Sequence, residues 1–175
     1  VGSCRDQLLV PEIVALSPKG VMQDMVDKND ATVAELMAKK KWPPSVPKLD
    51  EDSYFAIVAY TMDNGVHRSS NVYYALNNAL RNRKTDSTPF KLWQGFLFFL
   101  MRALDKLPRI IITVYRGGNE GLDQETVQRE YTVGRPIQWA AFSSTSVSLG
   151  ACKDFVEKQV GVVFKLSVVS GLDVG

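Results

Sequence analysis

Apolar positions along the first two thirds of the chain recur at steps of three and four, the spacing of one helix face. Ser17-Pro18 reads as an N-cap followed by proline at the first helical position, opening a helix through about Lys28. Asp30 is placed to cap the next, with Val33, Leu36 and Met37 on one face. Lys39-Lys40-Lys41 suits the C-terminal end of that helix, where cations meet the negative pole of its dipole, in preference to a phosphate-binding patch. The three prolines of Trp42–Pro47 impose an extended linker. Asp50-Glu51-Asp52 then opens a helix bearing Tyr54, Phe55, Ile57, Val58 and Tyr60, ended by a turn at Asp63-Asn64-Gly65. Asn71–Arg81 is amphipathic, with Val72, Ala75, Leu76, Ala79 and Leu80 on one side. Pro89 opens the longest helix, to about Lys106, closed by Pro108.

After Pro108 the period changes. Ile110–Tyr115 is β-branched and reads as a buried strand. Tyr131-Thr132-Val133, Trp139–Ser146 and Gly161–Val169 are strand-like as well. Helices first and strands afterwards imply an α+β fold, not a βαβ winding.

Composition narrows the functions. The chain has 175 residues, enough to bury a core without metals or disulfides. Twenty-one Lys and Arg against nineteen Asp and Glu give a net charge of +2, which supports neither nucleic acid nor membrane as a partner. The most apolar run, Phe96–Met101, lies inside Leu92–Leu107, is shorter than a bilayer requires and is bounded by Gln94, Arg102 and Asp105. With Cys4, Cys152 and His67 alone, a structural zinc site lacks ligands, and no metal is expected. The two cysteines could form one disulfide or stand as two thiols. Nothing sets the oligomeric state, and a monomer is the default.

Two strand ends carry unusual polar groups. Arg116 follows the apolar strand and precedes Gly117-Gly118. A guanidinium there needs an anion, and glycines let a ligand approach the backbone. Its planar fork suits a phosphate, although an internal Asp or Glu partner would serve equally. Trp139-Ala140-Ala141-Phe142 leads into Ser143-Ser144-Thr145-Ser146, four hydroxyls that both donate and accept, or else a serine-rich turn.

Taken together, Arg116-Gly117 and, about 28 residues on, Phe142-Ser143-Ser144-Thr145-Ser146 resemble the mono-ADP-ribosyltransferases of the arginine–serine–glutamate class. Ala59-Tyr60-Thr61, Leu76–Arg81 and Ala103–Pro108 are similar, in the same order, to helical landmarks of the eukaryotic ecto-enzyme and toxin-related branch. The resemblance spans roughly Asp50–Gly175, with nothing recognisable in Val1–Lys48. It implies an N-terminal helical extension and linker over 1–48. An ADP-ribosyltransferase domain follows over 49–175, helical through 107 and strand-built from 108, with a helical lobe packed on two mostly antiparallel sheets.

The resemblance also implies roles. NAD is the substrate and a protein side chain the acceptor, arginine by base rate, at the cell surface or outside the cell. Arg116 holds the pyrophosphate or ribose side of NAD across a cleft from the Ser144 hydroxyl, which positions the catalytic glutamate. Gly117 offers its backbone to the nicotinamide carboxamide. Thr145 and Ser146 support the turn around the site, and Thr61 reaches the adenosine portion. Phe155 either covers the nicotinamide or belongs to the core.

The sequence departs from the family in one place. The motif Glu-x-Glu or Gln-x-Glu, expected after a segment like Ser170–Gly175, does not occur C-terminal to the serine motif, and the C-terminal strand that carries it is expected to be missing from this stretch or from the natural protein. Asp154 and Glu157, read as solvated charges on a short helix, do not replace it. Three functions therefore stand: a transferase or NAD glycohydrolase, an inactive NAD-binding module on the same fold, or a partner groove lined by Tyr54, Phe55, Tyr73, Tyr74, Trp93, Phe96, Phe98 and Phe99.

Overall fold

The computed structural model describes residues 2–39, 48–63, 70–118, 124–156 and 162–174. The expected linker Trp42–Pro47 and most of the Asp63–Gly65 turn lie outside them. Two compact units are present, Val1–Pro108 with Val174–Gly175, and Arg109–Asp173.

The first unit is helical: α1 (Cys4–Leu8), α2 (Pro11–Val14), α3 (Val21–Lys39), α4 (Glu51–Thr61), α5 (Val72–Asn82) and α6 (Thr88–Asp105). The two helices expected before residue 42 are one. Ser17 and Pro18 lie in the preceding turn, closed by Gly20 at φ +85, and α3 runs on through Asn29 and Asp30. Neither residue breaks a helix, since each costs only tenths of a kcal/mol relative to alanine. Helix α4 begins as its acidic run implies: the Asp50 carboxylate accepts from the Ser53 N–H at 2.8 Å.

The core is aromatic and central to α4 and α6. Phe55 and Phe96 are fully buried and Trp93 nearly so, while Val33 and Leu76 reach in from α3 and α5. Tyr54 and Phe99 are also buried, Tyr73 and Tyr74 half-buried, and only Phe98 is largely exposed, at 53%. Most of these side chains therefore pack in the interior, and among the described residues they do not form one exposed aromatic patch for a partner. Across α4 and α5 the Asn77 amide donates to the Tyr60 hydroxyl at 3.0 Å, both residues being buried.

The N-terminal segment is tied to this core. The Cys4 N–H donates to Asp52 at 2.8 Å. The Arg5 guanidinium pairs with Asp30 and, at 2.7 Å, with Glu51, and it lies over the Phe55 ring. Cys4 and Cys152 are free and buried. Burial pushes the Cys4 thiol well above its ordinary range, with the Asp52 charge adding to it. Asn29 is fully buried, and its amide finds no hydrogen-bond partner among the described residues.

The second unit holds β1 (Arg109–Gly117), α7 (Gln124–Glu130), α8 (Leu149–Val156) and β2 (Val163–Leu172). The strands pair antiparallel, Tyr115 opposite Lys165 and Gly117 opposite Val163, with an irregularity between Ile110 and Ile112. Among the described residues this two-stranded sheet is the only one. An α+β arrangement is thus present.

Two of the expected strands do not form. Tyr131-Thr132-Val133 follows the end of α7, and Trp139–Ser146 is irregular apart from one bridge at Ser146. Nor is β1 buried as its composition implies. Val114 is buried, but Ile111 is 84% exposed, as is 80% of Val169 on β2. A strand buried on both faces needs layers above and below it.

Candidate functional site

Arg116 sits one residue before the end of β1, opposite Phe164 of β2. Its Nη1 donates to the Ser144 carbonyl oxygen at 2.8 Å. The two residue motifs, about 28 positions apart, therefore meet in space. The link runs through the Ser144 main chain, not its hydroxyl, and Ser144 and Thr145 are exposed.

One register brings this about. The Tyr115 N–H donates to the Ser146 carbonyl at 2.7 Å, and the Ser146 N–H donates back to the Tyr115 carbonyl at 2.9 Å. This exchange pins the serine segment to β1 on the edge facing away from β2. The Ser146 hydroxyl accepts from the Ser148 N–H at 3.1 Å, and the Ser148 hydroxyl accepts from the Ala151 N–H at 3.3 Å, leading the chain into α8.

Gly117 gains a defined orientation from the same register. In an antiparallel ladder successive residues turn their N–H and C=O to opposite edges. Tyr115 addresses Ser146, so Gly117, two residues on, addresses that edge too. Gly118 addresses β2, its N–H donating to the Val162 carbonyl at 2.5 Å. The Gly117 main chain, the Arg116 guanidinium and the Ser144–Ser146 segment thus meet at one end of β1.

Three aromatic residues complete the arrangement, and none of them stood among the candidate site residues. The Arg116 guanidinium lies over the Trp139 ring, 5.1 Å from its centroid. Trp139 Nε1–H donates to the Tyr131 hydroxyl at 3.3 Å. The Phe164 ring contacts both, 4.8 Å from Tyr131 and 6.1 Å from Trp139 between centroids. Sequence offered little signal for them, because the register that sets Phe164 opposite Arg116 joins residues far apart in the chain.

Thr61 ends α4 in the helical unit, and its hydroxyl donates to the Ile57 carbonyl at 2.9 Å within its own helix. Phe155 lies in α8, with its side chain outside the described residues. Among the described residues no cluster of His, Cys, Asp and Glu could hold a metal ion, and no helix is long and apolar enough to cross a membrane.

A sequence model of one family, described as NAD:arginine ADP-ribosyltransferase, matches residues 16–175. The likeness thus begins well before Asp50 and takes in α3, which by residue motifs alone resembled nothing. No curated protein matches the chain, and no solved structure matches it.

Proposed function

Because the chain belongs to the NAD:arginine ADP-ribosyltransferase family, whose substrate is NAD, we propose that the Arg116 end of β1 is where NAD binds and loses its nicotinamide. The observation carrying this reading is the convergence of Arg116, the Gly117 main chain and Ser144–Ser146 on one strand end. Charge favours the assignment: a planar guanidinium can grip a pyrophosphate through paired N–H bonds. Gly117 presents its N–H and C=O beside it, a complement to a carboxamide.

The reaction breaks the C1′–N bond, and nicotinamide leaves neutral with the bonding electrons. The ribose passes through an oxocarbenium-like state, as in glycoside hydrolysis. A guanidino nitrogen of the acceptor arginine then bonds to C1′ and gives up a proton to solvent or a base. A carboxylate beside the ribose would stabilise the developing positive charge. In this reading Ser144 positions that carboxylate, and Thr145 and Ser146 shape the turn beside it.

Residues 147–175 contain one glutamate, Glu157, and no Glu-x-Glu or Gln-x-Glu. This favours a second reading for the stretch 1–175 by itself, an NAD-binding fold without turnover. The natural gene product, incubated with labelled NAD and a small guanidine acceptor, tests both. Released nicotinamide matched by labelled acceptor supports the transferase. Nicotinamide release without labelled acceptor indicates a glycohydrolase, binding without release a non-catalytic module, and neither from folded protein refutes the reading.

A further inference from the structure

The Arg116 guanidinium is held by more than its carbonyl contact. Its Cζ also lies over the Trp139 ring, 5.1 Å from the centroid. The indole is anchored on two sides, by its Nε1–H bond to the Tyr131 hydroxyl and by edge contact with Phe164. Phe164 is itself the cross-strand partner of Arg116, so side chains of the two neighbouring strands converge on the same face. A cation over an indole is attracted by the ring's negative face. The attraction acts on the charge of the guanidinium, and Nη1 still donates to the Ser144 carbonyl, so the ring contact and the hydrogen bond coexist.

From this geometry we infer that Trp139 is a positioning residue for NAD binding: its ring, braced by Tyr131 and Phe164, fixes the plane in which the Arg116 fork meets the dinucleotide phosphates. The inference rests on the proposed function. A free arginine side chain surrenders rotamer entropy when it binds, and one already stacked surrenders less. The gain therefore appears in NAD affinity, in proportion to the strength of the ring's negative face.

The test uses the natural gene product, isothermal titration with NAD, and thermal melting as a check on folding. Trp139→Leu keeps apolar bulk and removes the π face, and is expected to weaken NAD binding about tenfold, the range of a partly desolvated cation–π contact. Trp139→Phe restores a face and is expected to stay within about threefold of wild type. Should the leucine variant fail to fold, uniform replacement of tryptophan by monofluoro- and difluoro-tryptophan weakens the face with little change of shape. NAD affinity then falls stepwise with fluorine number, and is flat in the Trp139→Phe background, where Trp42 and Trp93 are still fluorinated. Wild-type protein that binds NAD no better than a folded Trp139→Leu variant, or an affinity indifferent to fluorination, overturns the inference and leaves the proposed function standing. Folded wild-type protein that does not bind NAD overturns the function first and the inference with it.

Discussion

Tyr115 and Ser146 exchange two main-chain hydrogen bonds, and this single bridge sets the serine segment beside Arg116. The bridge needs the Ser146 N–H and not its side chain. Ser146→Pro removes that donor and is expected to destabilise the strand unit by about 1–3 kcal/mol, through the Tyr115 carbonyl left without it. NAD affinity is expected to fall more than about tenfold with it. Ser146→Ala loses only the hydroxyl contact to the Ser148 N–H, at a cost of about 0.5–1 kcal/mol. Thermal melting and NAD titration of the two variants check the contrast, and equal behaviour would show that the bridge does not organise the site.

Asp50 caps α4 and also pairs with Lys106 at 2.6 Å. The Lys106 ammonium, followed by the Ser53 hydrogen bonds, holds its carboxyl down at about 2, against the desolvation that raises it. A folded-state value below the unfolded one means stability that is present above the ordinary aspartate range and lost as pH falls through about 2. Asp50→Asn keeps the cap and removes the charge. It is expected to lower stability by roughly 0.5–1 kcal/mol at pH 7, discounted because the pair is partly exposed. The difference from wild type should shrink between about pH 4 and pH 2. Melting curves across that window check it, and a difference independent of pH would contradict it.

Much of the helical unit was legible because its signals are local. Asp50 as a cap, Pro89 in a first turn and the apolar stripe of Val72, Leu76 and Ala79 each act within a few residues. The end of β1 was legible for a different reason, since the β-branched run Ile110–Tyr115 gives way there to Gly117 and Gly118. The strands at Tyr131–Val133 and Trp139–Ser146 were misread. Their β-branched and aromatic content fits a half-buried surface, but pairing depends on a neighbour many residues away. Trp139 and Tyr131 instead turn their rings toward Arg116 and Phe164. The division of α3 into two helices failed because a capping residue caps only where the preceding chain is not already helical.

Asn29 shows the reverse case, a polar residue inside the core of the helical unit whose amide has no partner among the described residues. Burying an unsatisfied amide costs roughly 1–3 kcal/mol. Asn29→Leu, of similar size, is therefore expected to raise stability by about 1–3 kcal/mol, with a small addition from leucine's better helix propensity. Denaturant melting decides the matter. A loss of stability would show that the amide is hydrogen-bonded in solution.

The central claim is that the Arg116 fork receives the dinucleotide. NAD titration of the gene product against its Arg116→Lys variant tests it most directly, because lysine keeps the charge and loses the paired geometry. Two charge-assisted bonds reduced to a point contact predict an affinity loss of about 10- to 100-fold, with the melting temperature unchanged within a few degrees. Equal NAD affinity in the two folded proteins would contradict the account.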